Sequence, residues 1–557
     1  MKKQPASLLL VLGLAGSASA QQGPPPPPPP IGNPITAEKA LLGKALFWEE
    51  QLSATRTVAC ATCHIPELGG SDPRTDGSAG TVHPGPDGVP GTPDDIFGSP
   101  GVPLTRPDGS YQPSGLFDLA AQVTRRKSPT VINSVFSPNV QFWDGRAGGV
   151  FRDPLTGQVL LNDRAALESQ AAEPPISTEE MAHLGADWPG VVARIESSEP
   201  LALATDLPAD LASFVSGQTY PDLFGVVFGT PEVTPARVAM AIATYERTLL
   251  GASAPFDAFV GGPGGPGGPG SDPNALTQQE RRGHDIFFGP GRCATCHGGP
   301  AFTDNQFHYT GVRPVAEDLG RFEVTGAQGD RGRMKTPGLR NVELRGPFFH
   351  NGRFATLGEV VAFYNRGGDF DAPNKAPQLT PLGLSPQQQA DLVAFLRRPL
   401  TDPRVAAGIA PFDGPTLYSQ TARVPNQYGA GTPGTDGHIP VLTAIEPPKV
   451  GNPSLSVAIE NGHGGRLGVF VLSPFQDLAG TPFQGTSLHF GFGPGLQIMR
   501  IGALEGVGPG GGFGTCTIEV PDDPALVGTS LFGQFLVVDN GGPGRFAATP
   551  GVRFDWF

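Results

Sequence analysis

Two copies of one pentad constrain this chain more than any other feature: Cys60-Ala61-Thr62-Cys63-His64 and Cys293-Ala294-Thr295-Cys296-His297. Cys-x-x-Cys-His is the attachment signature of a c-type haem. Its two thiols reach the two vinyl groups of one porphyrin as thioethers, and the histidine that follows lies under the ring as the proximal iron ligand. Paired cysteines could also mark zinc or thiol-redox sites. A closed zinc site, however, wants four ligands and does not need a histidine directly after its second cysteine. Four of the five cysteines fall in the two pentads. The spacing therefore predicts two covalently bound haems, attached through Cys60, Cys63, Cys293 and Cys296, with His64 and His297 on the irons. Cys516 has no partner for an internal disulfide and reads as a small buried apolar residue.

The chain opens like an export signal at 1–20. Lys2 and Lys3 are followed by an apolar run, and Ala18-Ser19-Ala20 forms a small-residue cleavage site. Haem attachment at such pentads takes place outside the cytoplasm, so an exported, periplasmic or cell-surface protein is expected. No stretch is long and apolar enough for a transmembrane segment. A net charge of −14 argues against nucleic acid as a partner and permits a basic electron carrier.

A proline-rich linker follows at 21–33. Thr36 then reads as a helix N-cap, and Thr277 with Glu280 as a capping box. Both helices lead into a pentad and share Gly-x-x-apolar-Phe, as Gly43 to Phe47 and Gly283 to Phe287. This predicts a duplicated cytochrome c-like unit, with haem domains at 34–260 and 274–400 joined by a Gly/Pro hinge at 261–273. Further helices are expected at 235–250, from Thr356 and from Ser385. Residues 401–440 read as linker. From Val441 to the end, short apolar runs alternate with Gly, Pro and Asn, which predicts a small all-β, sandwich-like module at 441–557. The fold class expected from this reading is mainly α, with that β module appended. In the loop at 69–113, Asp87, Asp94 and Asp95 could offer oxygens to calcium, although a solvated acidic loop explains them as well.

Several stretches carry a family resemblance. Ser128 to Asn133, Gln141-Phe142-Trp143-Asp144-Gly145-Arg146, Glu179-Glu180-Met181, Thr336 to Asn341, Phe348 to Gly352 and Ala355-Thr356-Leu357 together resemble the bacterial di-haem cytochrome c peroxidase and MauG family over 34–399. The resemblance implies that peroxide reacts at the haem of His64. The haem of His297 would take electrons from a small donor protein, a cytochrome c or a cupredoxin, and Trp143 would lie between them. Glu180 matches the family's distal glutamate, although Ser177 to Glu180 also reads as a helix start. Gln170 matches the distal glutamine.

At the second iron the position that typical peroxidases fill with methionine is Tyr364, which resembles MauG; Met334 is the competing ligand. His83 is the one histidine in the loop where some relatives carry a blocking ligand, but its neighbours differ from the usual pattern, so an open site is expected. The family also implies calcium between the domains, through the backbone carbonyls of Arg345 and Pro347, and a homodimer is compatible with it. The function expected is reduction of hydrogen peroxide. A MauG-like oxidase acting on a partner protein and a non-catalytic electron-transfer cytochrome are the alternatives.

Overall fold

The computed structural model describes residues 23, 25–74, 80–261, 268 and 270–557. The signal-peptide reading of 1–20 and most of the Gly/Pro hinge, 262–267, lie outside the described residues.

Both pentads are reached through a helix with its own start signal. Thr36 caps Ala37–Phe47, its side-chain oxygen accepting from Lys39 N–H at 3.2 Å. Thr277 and Glu280 form a reciprocal box on Gln278–Phe288, with Glu280 accepting from the Thr277 N–H at 2.7 Å. Each helix then crosses a second one, Ala37–Phe47 against Pro235–Glu246 and Gln278–Phe288 against Pro386–Leu396. The repeated glycine explains how closely they cross. A Cβ on Gly43 would come 2.0 Å from the carbonyl oxygen of Ala241, and one on Gly283 would come 2.0 Å from that of Asp391. Backbone therefore meets backbone at both crossings, and Phe47 and Phe287 are fully buried beside them.

Each unit has its own apolar cluster. The first gathers Leu42, Phe47, Tyr220, Phe224 and Ile242, and the second gathers Phe287, Phe302, Val361, Leu392 and Phe395. The segment after the second unit folds back onto the first, where Val405, Phe412 and Leu417 complete the first cluster. The Tyr418 N–H donates to the Glu50 carboxylate at 2.6 Å.

The mainly α expectation is not what the chain forms. Helix accounts for 26% and strand for 21% of residues, so the fold is mixed. Composition supplies the physical reason. With 79 glycines and 62 prolines, the segments between helices can neither extend a helix cheaply nor donate every backbone hydrogen bond. They close into small antiparallel ladders instead, such as Val82–His83 with Ile96–Phe97, Pro100–Pro103 with Ala121–Val123, and Phe151–Arg152 with Val159–Leu161.

The C-terminal region is built of strands. One sheet runs Asn426–Tyr428, Gly551–Asp555, Ser530–Val538, Leu467–Ser473, Gln497–Ala503, with Phe546–Ala548 also on Ser530–Val538. A second runs Val441–Thr443, Leu455–Gly464, Gly508–Ile518. All these pairs are antiparallel, and Ile459, Phe470, Phe535, Val537 and Phe554 make the core. Cys516 is buried there, its Sγ 3.7 Å from the Met499 Sδ. No helix among the described residues is long and apolar enough to cross a membrane.

Substituting the crossing glycine tests the duplicated architecture. Gly283→Ala is expected to destabilise the holoprotein by about 1–3 kcal/mol in denaturant unfolding. Gly115→Ala, whose Cβ meets open space, should leave the midpoint in place. Equal midpoints for the two variants would refute the close crossing.

Two candidate haem sites

In the first pentad, Cys60–Cys63 forms a single helical turn, and the His64 N–H donates to the Cys60 carbonyl at 3.0 Å. In the second, the His297 N–H donates to the Cys293 carbonyl at 2.9 Å. Both imidazoles are oriented by backbone. His64 Nδ1 faces the Gly70 carbonyl at 3.4 Å, with the Pro129 carbonyl as a second acceptor. His297 Nδ1 faces the Phe302 carbonyl at 3.0 Å, with Pro337 in the same role. A carbonyl at Nδ1 selects the tautomer that leaves Nε2 free for a metal. Burial lowers both imidazole pKa values, with the carbonyls opposing it, so both rings stay neutral, as ligation requires.

The Ser-Pro-Thr stretch fastens the first pentad. Ser128 Oγ donates to the Cys63 carbonyl at 2.8 Å and Thr130 Oγ1 to the Gly69 carbonyl at 2.7 Å. In the second unit Thr303 Oγ1 donates to the Thr336 carbonyl at 2.6 Å, and the Asp304 N–H to the Cys296 carbonyl at 2.8 Å.

Each pentad opens into a cleft, of about 1060 Å³ at His64 and about 220 Å³ at His297. Two cysteines and a histidine face each cleft, so the residues fit two c-type haems: Cys60, Cys63 and His64 hold one, and Cys293, Cys296 and His297 the other. Trp143 lines both clefts; its indole N–H donates to the Lys127 carbonyl at 2.8 Å, and its ring lies 6.2 Å from that of His350.

Glu180 and Gln170 both line the His64 cleft. Burial raises the Glu180 carboxyl to about 7 against the opposing pull of Arg146. The stretch 178–181 is turn, with the Glu180 N–H on the Ser177 carbonyl at 3.2 Å, so Glu180 does not start a helix. Sequence reasoning missed other members of this wall. Asp144, Glu173 and Glu246 line it, and Arg146 pairs with Asp144 at 3.0 Å and Glu173 at 2.7 Å. Asp144 and Arg146 sat in a stretch already singled out, which was the available signal. His83 is also on this wall, its Nδ1 accepting from the Gly85 N–H at 3.1 Å and its ring edge-on to Phe117.

Tyr364, on the helix Leu357–Asn365, lines the His297 cleft, and so does Met334. The Tyr364 hydroxyl makes no hydrogen bond among the described residues, and burial pushes its pKa up, so only a cation facing the oxygen would favour the phenolate.

The lining at the expected calcium position does not suit a divalent cation. Arg345 and Pro347 do line the His297 cleft, but Lys127, Lys335 and the Arg345 guanidinium share it and no carboxylate does. A hard divalent cation wants six to eight oxygens from carboxylates, carbonyls or water, and three cationic side chains with no carboxylate oppose its charge here. Asp87, Asp94 and Asp95 accept from their own loop: the Val89 N–H donates to Asp87 at 2.8 Å, Thr92 Oγ1 to Asp94 at 2.5 Å and the Gly91 N–H to Asp95 at 2.8 Å, while the Asp95 Oδ1 is buried without a partner among the described residues. Cys296, Asp304 and His308 form the one metal-like cluster among the described residues, and it includes a haem-attachment thiol.

Residues 37–264 match the profile of di-haem cytochrome c peroxidases. The methylamine utilization protein MauG of Methylorubrum extorquens is 31% identical over 374 residues, covering 67% of this chain and 80% of that protein. The cytochrome-c peroxidase IdrP1 of Denitromonas iodatirespirans is 30% identical over 406 residues, covering 67% and 84%. The cytochrome c551 peroxidase of Nitrosomonas europaea is 31% identical over 338 residues, covering 60% and 74%. With two haem pentads set in twin helical units, and relatives of both kinds matched over most of their length, the chain belongs to the di-haem cytochrome c peroxidase and MauG family.

Proposed function

We propose that this chain is an exported di-haem peroxidase that reduces hydrogen peroxide to water with electrons from a small redox protein. One observation carries the reading: the cleft of His64 holds a carboxyl poised near neutrality, and Trp143 joins that cleft to the cleft of His297. The haem held by His64 supplies a redox-active iron to which peroxide can bind.

The chain supplies the proton handling. As carboxylate, Glu180 takes the proton from one peroxide oxygen. As acid, it returns that proton to the other oxygen, which departs as water. Two electrons and two further protons complete the second water. Gln170 offers its amide to the same space, and Arg146 holds positive charge beside Glu180. His83 is fastened through its Nδ1 to a backbone N–H of its own loop, which favours a site open without prior reduction. Cys293, Cys296 and His297 would hold a second haem able to take up the electrons, and a cytochrome c or a cupredoxin is the donor proposed. Export, into the periplasm or to the cell surface, rests on the leader-like start of the chain.

Tyr364 favours a second reading, a MauG-like oxidase that draws electrons from residues of a partner protein. Tyr364 lines the cleft where it could serve as a ligand; a phenolate is harder and more electron-donating than a thioether and would favour higher oxidation states of an iron held there.

Glu180→Gln should leave both haems attached and slow the reaction with peroxide by about 10² or more. Because burial raises the carboxyl to about 7, it is protonated, and no longer an acceptor, below that pH. The parent's rate with peroxide should therefore climb as pH rises through 7, and the variant should lose that step. Stopped-flow mixing at a series of pH values checks both; an unchanged rate or profile removes Glu180 from the mechanism.

Tyr364→Phe should alter the absorption spectrum of the haem held by His297 and leave the other unchanged. No change would transfer the ligand role to Met334. Mixing holoprotein with peroxide separates the readings: a peroxidase consumes reduced donor, a MauG-like oxidase gives a long-lived oxidised spectrum, and a carrier does neither.

A further inference from the structure

The two clefts share a wall of Lys127, Ser128, Pro129, Thr130 and Trp143. Their charges are unequal. Lys127, Arg292, Lys335 and Arg345 line the His297 cleft, and no aspartate or glutamate does. Lys127 is 4% exposed, and its ammonium donates to the Asp72 backbone carbonyl. Arg345 is 8% exposed; one guanidinium nitrogen donates to the Gly338 carbonyl at 2.6 Å, while its Nε is buried with no partner among the described residues. The acceptors of Lys335 are a hydroxyl and a carbonyl, Ser137 Oγ at 3.2 Å and Thr336 O at 3.5 Å.

A buried cation facing neutral acceptors, with like charges beside it, is costly. Such a wall is completed by an anion that arrives with whatever fills the cleft. A c-type haem brings two carboxylates in addition to the vinyl groups that the thiols take. We propose that Lys127 and Arg345 bind a haem carboxylate on the wall between the clefts, and that these fixed cations stand where the family would hold a divalent metal. Burial and the neighbouring Arg345 charge lower the Lys127 ammonium to about 8, against the pull of Asp72, so it is charged at neutral pH and lacks only a close anion. Glycine makes the approach of Arg345 possible: Gly69 has φ +78°, and a Cβ there would lie 2.6 Å from the Arg345 Cγ. The inference rests on the two-haem reading, which the mass of the exported protein tests separately.

Two measurements on the holoprotein decide it. Elemental analysis of the holoprotein as isolated should find no stoichiometric calcium, and neither a calcium chelator nor added calcium should move the haem spectra or the unfolding midpoint. In Lys127→Gln with both haems attached, the haem-carboxylate bending band in resonance Raman should shift. One haem should also become harder to reduce, by about tenfold in its ferric-to-ferrous ratio, or ~59 mV for a one-electron couple. Lys127→Arg should bring both readouts back towards the parent. A calcium ion bound one per chain whose removal changes the haem spectra would overturn the proposal. So would Lys127→Gln with potentials and Raman band unchanged. Should Lys127→Gln lose a haem, Lys127→Arg decides: restored loading supports the charge role, and loss in that variant too refutes it.

Discussion

A backbone carbonyl at the Nδ1 of each pentad histidine is the contact on which both haem units depend. Without it the imidazole could rotate or take the other tautomer, and Nε2 would not be reserved for iron. To bring that carbonyl under the ring, the chain must reverse within six residues of His64 and five of His297. The first reversal uses Gly69 and Gly70, at φ +78° and +72°, where an L side chain would be strained. The second passes through Gly299 at φ +71° and ends on Phe302, itself left-handed at φ 55°. Phe302 is held there because its ring is buried against Phe256, Phe287 and Phe395. One turn is bought with glycine and the other with aromatic packing, yet both deliver the same hydrogen bond.

From that common frame the two clefts diverge in charge. Around His64 stand Asp144, Glu173, Glu179, Glu180, Glu246, Glu317, Asp318 and Glu323; no aspartate or glutamate lines the His297 cleft, and Asp304 stands just behind it, beside Cys296 and His308. Moving a proton requires a group that titrates near the working pH, and burial sets Glu180 at about 7 and Glu246 at about 8. Passing an electron requires no titrating group, only a fixed environment. Three of the acids in the first cleft pair with one residue, Arg126, which binds Asp144 at 2.6 Å, Asp318 at 2.5 Å and Glu323 at 2.7 Å. Because Asp318 and Glu323 come from the second haem unit, the same arginine also ties the units together.

Local signals in the chain were sufficient wherever the physics is local. The caps at Thr36, Thr277, Thr356 and Ser385 each start the helix that their residue types announce, and the pentads name their own chemistry. Legibility failed where meaning comes from distant neighbours. Lys127 follows two arginines and carries no local signal of its burial, yet folding buries it near Arg345. Residues 401–440 read as linker because they lack periodicity. Folding nevertheless places Phe412 and Leu417 in the first core and Asn426–Tyr428 on the edge of a C-terminal sheet. The helical content was overestimated for a related reason: the haem units are defined by a few crossing helices, while the Gly- and Pro-rich chain between them makes short ladders.

The C-terminal module bears on the same carboxylate through a path of contacts. It grips the long loop of the first unit at three places. Arg106 forms a two-pronged pair with Glu505 at 2.8 Å, the Tyr111 N–H donates to Thr515 Oγ1 at 2.9 Å, and the Leu119 N–H donates to Glu460 at 2.8 Å. Tyr111 is 1% exposed and approaches the buried Glu446 carboxyl at 3.4 Å. The strands at either end of this gripped loop, Pro100–Pro103 and Ala121–Val123, pair with each other. Val102 N–H then donates to the Glu180 carbonyl at 3.1 Å, and Gly101 lies so near Glu179 that a Cβ would meet its carbonyl oxygen at 1.9 Å. Two strands this short are marginal by themselves, and a free loop between them would add closure entropy to their pairing. By pinning that loop, the module lowers the cost of the ladder that sets the backbone of Glu180, so a domain with no haem ligand of its own still helps to place the acid.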